Sequence, residues 1–366
     1  MSGTLAFLVR RLLMAIPTLF LVSVLGFTLM RYDITLGPLS LPLGPQGAWV
    51  RVMDPVRLQN PIHPLAALQQ NPQISPAALA QETRRLGLDR PMYEQYGRWL
   101  AGLLQFHPEA LLRGDLAGFY TPDLGRTFNG EDVSKVLFRR AGNTLLLNGV
   151  TVLFTWLVAL PLGVLAALRW RSLADHLLTL LSALGMALPS FVLALLLAVF
   201  AVQTGWFPLG GLTSDHFETL PPLAKLADVA WHLSLPVLVL TVGGIASLSR
   251  QMRGNLLEVL GAEYVRMARA KGVAETWVVY KHALRNAINP LITMLGYEFA
   301  GLLGGSVLVE TVLGYPGLGA LTYQAVMQTD TNLVMASLLV SASMLVLGNF
   351  LADWLLSLVD PRVELN

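Results

Sequence analysis

TLLLNGVTVLFTWLVALPLGVLAAL, residues 144–168, contains no Asp, Glu, Lys or Arg. A hydrocarbon core about 30 Å thick takes roughly 20 helical residues to cross, so this segment is long enough to span a bilayer. Five further segments read the same way: 12–30, 177–202, 233–248, 291–312 and 333–359. The fourth span, 233–248, is short and rich in Ser, Thr and Gly, and is expected to draw residues from both flanks. Of the 366 residues 54% are hydrophobic and 13% charged, against about 25% charged in soluble domains. Much of the surface therefore need not face water. The reading is an all-α membrane protein of six transmembrane helices.

Arg10 and Arg11 precede the first apolar run, which resembles a signal peptide in outline. The run is too long for an h-region and lacks an A-x-A cleavage site, so it reads as an uncleaved span. Lys and Arg in short loops set orientation. With the N-terminus in the cytoplasm, the inner segments hold Arg10 and Arg11, Arg169 and Arg171, seven basic residues from Arg250 to Arg285, and Arg362. The outer loops hold Lys225 between spans three and four and none between spans five and six. Both termini are expected inside. The expected domains are 1–30, the cytoplasmic N-terminus and first helix; 31–143, an external segment; and 144–366, a core of five helices.

The external segment is the one region able to form a small soluble layer. Its first half carries Pro38, Pro42, Pro45, Pro55, Pro61, Pro64, Pro72 and Pro76, so irregular structure is expected there. Two helices should follow. One covers 76–86 and ends at Gly87. The other starts at Pro91, with Tyr93, Tyr96, Leu100, Leu103 and Leu104 at helical spacing.

The longest cytoplasmic loop, 250–290, lies between spans four and five. EVLGAEYVRMARAK, 258–271, reads as a helix stopped by Gly272, and 275–289 as a second stopped before Pro290. Two readings stay open on spacing alone. Ala268 and Ala270 leave a slender turn able to enter a groove on a partner protein, or the basic pair lies on anionic lipid.

EYVRMARAKGVAETWVVYKHALRNAINPLI (263–292), GGSVLVETVLGYPGLG (304–319) and DPR (360–362) together resemble permeases of the dipeptide, oligopeptide and nickel family of ATP-binding-cassette importers. LGLDRPMYEQYGRWL (86–100), DLGRTF (123–128) and PLGVLAAL (161–168) extend the likeness to nearly the whole chain, apart from 35–75 and about 106–122. The wider superfamily's loop pattern, EAA-x3-G-x9-I-x-L-P, keeps only Ala268, Gly272 and Leu284 here, while ARAKG matches the peptide-permease variant. The resemblance implies that Glu263, Arg266, Ala268, Arg269, Ala270, Lys271, Gly272 and His282 couple this chain to a separate ATPase. It also implies two such ATPase subunits, a second related permease (a heterodimer) and an external solute-binding protein. The cargo would be peptides or a related small solute such as nickel or glutathione, the membrane a bacterial plasma (inner) membrane, and 144–366 a permease core containing the coupling loop 250–290.

The rest of the chain agrees with a subunit that is not an enzyme. Lys135, Lys225, Lys271 and Lys281 are followed by Val, Leu, Gly and His, so no phosphate-binding loop exists. No cofactor is expected on this chain; ATP and Mg belong on the partner ATPases. His216 and Glu218 supply two of the four ligands a structural zinc needs, so no metal is expected. A net charge of +2 without a dense basic run excludes nucleic acid; membrane lipid is the expected surrounding. An ionisable residue at membrane depth is a functional hypothesis by default. Glu298 could line the pore or bond a neighbouring helix, Glu310 could pair or cap near the outer boundary, and Asp353 could hold span six. Gly301, Gly304 and Gly305, with Gly296, make one side of span five slim, for packing or for a translocation path. The alternative is an ATP-independent secondary transporter, which inverted repeats and paired buried ion sites would mark; neither is seen.

Overall fold

The structure is a computed structural model. It describes the chain apart from residues 1, 32–33, 37–38, 42–49, 54–55, 59–74, 86, 110–119, 121, 128–129 and 360–366. For residues 2–9, 11–12, 31, 34–36, 39–41, 50–53, 56–58, 82, 85, 293, 296–305 and 351–359 it describes the backbone alone.

In chain order the elements are α1 (Ser2–Arg31), β1 (Ile34–Leu36), β2 (Leu39–Leu41), β3 (Val50–Met53), β4 (Val56–Leu58), α2 (Pro76–Arg85) and α3 (Met92–Leu103). Then follow α4 (Val133–Leu168), α5 (Leu173–Ala187), α6 (Ser190–Thr204), α7 (Pro222–Leu260), α8 (Glu263–Ala270), α9 (Leu284–Leu313), α10 (Leu318–Met327) and α11 (Thr331–Val359). Among the described residues four helical stretches are long and apolar enough to cross a membrane: Leu13–Met30, Val133–Leu168, Pro222–Leu260 and Thr331–Phe350. α5 and α6 together make a fifth, bent by 94°. α9, 30 residues long, covers the expected fifth span.

Three expectations need correction. The Pro-rich first half of the external segment is not wholly irregular: in an otherwise helical chain, β1 pairs with β4 and β2 with β3, both antiparallel. Proline cannot donate to a ladder, and these short strands fit between Pro38, Pro42 and Pro55 without containing one. The third span, 177–202, is not one rod. Leu188 is extended (φ −87, ψ 116) and Pro189 caps α6 (φ −60, ψ 135). A residue before proline is pushed out of the helical region, so the chain turns here. α4 and α7, by contrast, continue through Pro161 and Pro236. Finally, α4 starts at Val133, inside the expected external segment. α7 extends the short fourth span on both flanks, as expected.

The chain divides into two compact units. One contains the described residues of Met1–Ile16, Arg140–Leu321 and Ser343–Asn366. Its helices meet through small side chains. A Cβ on Gly163 would lie 2.6 Å from both Met252 Cβ and the Ser249 carbonyl oxygen, and one on Gly244 would lie 3.0 Å from Thr155 Cγ2, so α4 and α7 pack almost backbone to backbone. Ala194, Ala198 and Ala201 of α6 pack with Leu235 and Val239 of α7 and Val309 and Leu313 of α9. The other unit contains the described residues of Pro17–Arg139 and Thr322–Ala342. Its centre is aromatic: Tyr96 and Trp99 of α3 meet Phe27 of α1 at ring-centroid distances of 5.4 and 6.0 Å.

Candidate functional site

The loop between α7 and α9 is built on one buried anchor. α8 has eight residues, and Val265 is its single fully buried side chain. Val265 packs with Ala159, Val164 and Ala167 of α4, Leu248, Met252 and Leu256 of α7, and Ala287 and Leu291 of α9. Against that cluster the opposite face is left open: Tyr264, Met267, Trp277 and Tyr280 are 40%, 60%, 60% and 59% exposed. Glu263, Arg266, Arg269, Ala270, Lys271 and Gly272 are exposed as well, whereas Ala268 and His282 are half-buried. Ala268 packs against the core rather than thinning the exposed turn.

α8 begins at Glu263, five residues later than the spacing suggested, because α7 runs on to Leu260 and turns at Gly261. It ends at Gly272, with φ +76. The Gly272 N–H donates to the Arg269 carbonyl (2.9 Å) and the Val273 N–H to the Ala268 carbonyl (3.3 Å), a left-handed closure that glycine adopts without steric cost. Arg269 spans this turn: it donates to the Glu275 carboxylate at 2.7 Å and to the Leu260 carbonyl at 3.3 Å. The bonded guanidinium lowers the Glu275 carboxyl below its ordinary range.

The second helix of the loop does not stop before Pro290. One turn at Glu275–Trp277 leads into a wide π turn, Val278–Ala283, which passes directly into α9 through Pro290. The Asn286 amide donates to the Tyr264 hydroxyl (2.8 Å) and the His282 carbonyl (3.3 Å), tying this wide turn to α8. Sequence reasoning missed a neighbouring ion pair. Arg253 of α7 grips Asp175 of α5 with two bonds, 2.5 and 2.8 Å. Ser172, the N-cap of α5, accepts from the Asp175 N–H; the Ser-x-x-Asp spacing of a capping box was the available signal.

At the far end of α9, Glu310 is fully buried. Its carboxylate accepts from Thr144 Oγ1 (3.0 Å) and the Ala320 N–H (2.9 Å), while Thr144 Oγ1 accepts from the Leu318 N–H (2.7 Å). Tyr315 donates to the Asn143 carbonyl, and Asn143 donates to the Pro316 carbonyl, each at 2.8 Å. A Cβ on Gly317 would fall onto the Glu310 carboxylate. The segment GYPGLG thus wraps a buried carboxylate. Asn143, Thr144 and Tyr315 were not read from the sequence, since nothing local links them to residues so far along the chain. Of the remaining candidates, Glu298, Gly301, Gly304 and Gly305 lie on α9 and Asp353 on α11 with only their backbone described, and DPR falls outside the described residues.

A family model for the binding-protein-dependent transport system inner membrane component matches residues 159–365. The oligopeptide transport system permease protein AppB of Bacillus subtilis (strain 168) is 36% identical over 360 residues, 98% of this chain and 99% of that protein. The chain belongs to this family. It is a permease subunit of an ATP-binding-cassette importer, a multi-pass inner-membrane component and not an enzyme. The permease is also 32% identical over 374 residues, 98% of this chain and 99% of the other, to the di/tripeptide transport system permease protein DppB of Pseudomonas aeruginosa (strain UCBPP-PA14). A chain of the MetNI methionine ABC transporter in inward-facing conformations shares the fold, with a TM-score of 0.50 and 23% identity over 62% of the permease and 97% of that chain. Membership implies ATPase subunits and a solute-binding protein as partners; ATP use lies with those subunits.

Proposed function

We propose that this permease forms half of a peptide pathway, crossing the membrane six times with both termini in the cytoplasm, and pairs with a second, related permease. The external segment, 31–143, faces the periplasm or cell exterior, where a binding protein delivers cargo, and 144–366 forms the transport core. The names of AppB and DppB support peptide cargo; nickel and glutathione are the alternatives that a binding assay separates.

The observation that carries the coupling role is the two-sidedness of α8. One side is locked into the core by Val265, and the other presents Tyr264, Met267 and, past the Gly272 turn, Trp277 and Tyr280. A short helix fixed on one side, with Tyr264 and Met267 exposed among charged side chains on the other, is suited to fill a groove and pass its displacement inward. In this reading Glu263, Arg266, Ala270 and Lys271 contact the ATPase, Arg269 braces the turn, and Ala268 and His282 support it from within. The buried, fully bonded Glu310 belongs to helix packing rather than to the pore surface.

Reconstitution of the permease with its partner permease, both ATPases and the binding protein tests this. Peptide uptake should require all of them and ATP. Gly272→Val places a β-branched residue at φ +76 and should leave ATP hydrolysis without uptake. Peptide transport by the chain alone in proteoliposomes, with no ATPase, would overturn the proposal.

A further inference from the structure

α3 contains four kinds of surface in sequence around its axis. Tyr96 and Trp99 face α1 and α11. Next come Tyr93, Gly97, Ala101 and Leu104, an uncharged face that is exposed, with Tyr93 at 75% and Leu104 at 54%. Beyond it runs a charged stripe, Glu94 and Arg98, also exposed. The back is covered by the chain near Asp123, whose N–H donates to the Gly102 carbonyl at 3.0 Å.

The depth of the anchoring face can be measured along two spans. The Tyr96 hydroxyl lies 2.8 Å from Ser23 Oγ. Ser23 donates its own proton to the Phe20 carbonyl (2.7 Å), so Tyr96 is the donor. Ser23 stands seven residues inside the end of the apolar stretch Leu13–Met30, about 10 Å at 1.5 Å per residue. Trp99 borders a cleft formed by Val22, Ser23, Gly26 and Phe27 of α1 with Met335 and Leu338 of α11. Leu338 is likewise seven residues inside α11 from Thr331, again about 10 Å. Two independent rulers therefore place the tips of Tyr96 and Trp99 well below the ends of two apolar spans. At that level the surroundings of an exposed uncharged face are acyl chains, and Leu21, Leu25 and Leu29 of α1 are more than half exposed as well.

We propose that α3 is a membrane-embedded interfacial helix, wedged by Tyr96 and Trp99 between the first and last spans, whose Tyr93–Gly97–Ala101–Leu104 face is occupied by phospholipid acyl chains while Glu94 and Arg98 reach the headgroups. Its assignment to the outer leaflet rests on the orientation proposed above. Aromatic side chains favour this boundary region, and long charged side chains snorkel from it. α3 is thus sunk into the bilayer and does not stand clear of it.

The chain has no cysteine, so single cysteines can be introduced and spin-labelled in the assembled importer in liposomes. At Tyr93→Cys and Leu104→Cys the ratio of oxygen to nickel-chelate collisions should match that at Leu25→Cys and exceed that at Glu131→Cys several-fold. Gly97→Cys, where nothing lies within 4 Å of an added Cβ, gives the same reading if Tyr93 is needed for folding. A nickel-dominated ratio at Leu104 and Gly97 overturns the proposal. Orientation is read separately, by labelling Glu131→Cys with an impermeant maleimide added outside sealed, right-side-out vesicles. If that site reacts only after permeabilisation, the leaflet is reversed while the lipid contact of α3 is still decided by the collision ratios.

Discussion

Val265→Ala removes two methyl groups from the one buried side chain of α8. At about 0.8 kcal/mol per buried CH2 the loss is about 1.6 kcal/mol, before any cavity penalty is added. Every 1.4 kcal/mol is a factor of about ten in an equilibrium, so the detached state of α8 should rise more than tenfold. An eight-residue helix has little stability of its own, and detachment should therefore also unwind it. Hydrogen exchange of the amides of α8 in the assembled importer reads this directly, with faster exchange confined to 263–271. The ratio of peptide uptake to ATP hydrolysis should fall in parallel. Met267→Ala is the contrast: its side chain is 60% exposed, so exchange in the isolated permease should be unchanged while binding to the ATPase weakens. Unaltered exchange across α8 in Val265→Ala would refute the view that this residue docks the coupling element.

Gly317→Ala drives a methyl group into the Glu310 carboxylate; overpacking of this kind costs about 1–3 kcal/mol, visible as a lowered thermal midpoint in detergent. Gly243→Ala, with open space around it in α7, should leave that midpoint unchanged or raise it. Asp175→Asn leaves the Arg253 guanidinium without its anionic partner and should lower the midpoint at pH 7; Arg253→Lys keeps the charge but not the two-pronged grip, and should fall between wild type and Asp175→Asn. The Glu275 carboxyl is lowered from an ordinary 4.5 by its bonds to Arg269, so its hold on the Gly272 turn is fully present above pH 4.5 and is lost as pH falls through the lowered value. The protection factor of the turn amides, the intrinsic exchange rate divided by the observed one at the same pH, should therefore fall on acidification below that point, and in Glu275→Gln it should be lower at pH 7 with the acid-induced change abolished.

The spans were legible because an apolar run of this length cannot be satisfied by water on any side and so belongs in a bilayer, and the Gly272 stop because glycine at a helix end has a local cause. Tertiary features were not. Pro189 differs from Pro161 and Pro236 only in what surrounds it: the helix continues through the other two, while at Leu188–Pro189 the chain turns. Pro290 read as a stop and sits inside α9, as Pro161 and Pro236 sit inside α4 and α7. Thr144 and Glu310 are 166 residues apart, beyond any spacing rule. In the external segment, Tyr93, Tyr96 and Leu104 stand at helical spacing, yet Tyr93 and Leu104 are exposed while Tyr96 packs with Trp99 against Phe27.

How displacement of α8 reaches the membrane follows from which helices share its core. Val265 does not rest on one neighbour; it closes a cluster to which α4, α7 and α9 all contribute. Gly163 against Met252 and Gly244 against Thr155 bring α4 and α7 together closely enough that an added Cβ at either glycine would crowd the neighbouring helix, so the side chains of Met252 and Thr155 key the two helices to one another. Toward the opposite end of α9 the Glu310 carboxyl and Thr144 hold α4 and α9 through hydrogen bonds in a buried site, where such bonds are stronger than at a surface. α4 and α9 are therefore fastened at both ends, and α7 is fastened to α4 along its length. Under the proposed coupling role, a push on α8 moves these three helices as one body. The compliant part must lie elsewhere, and the broken span is the place where the backbone already turns: α5 and α6 meet at 94° across two extended residues. Bending at Leu188–Pro189 costs no helical hydrogen bond that is now made, whereas bending α4 or α7 would.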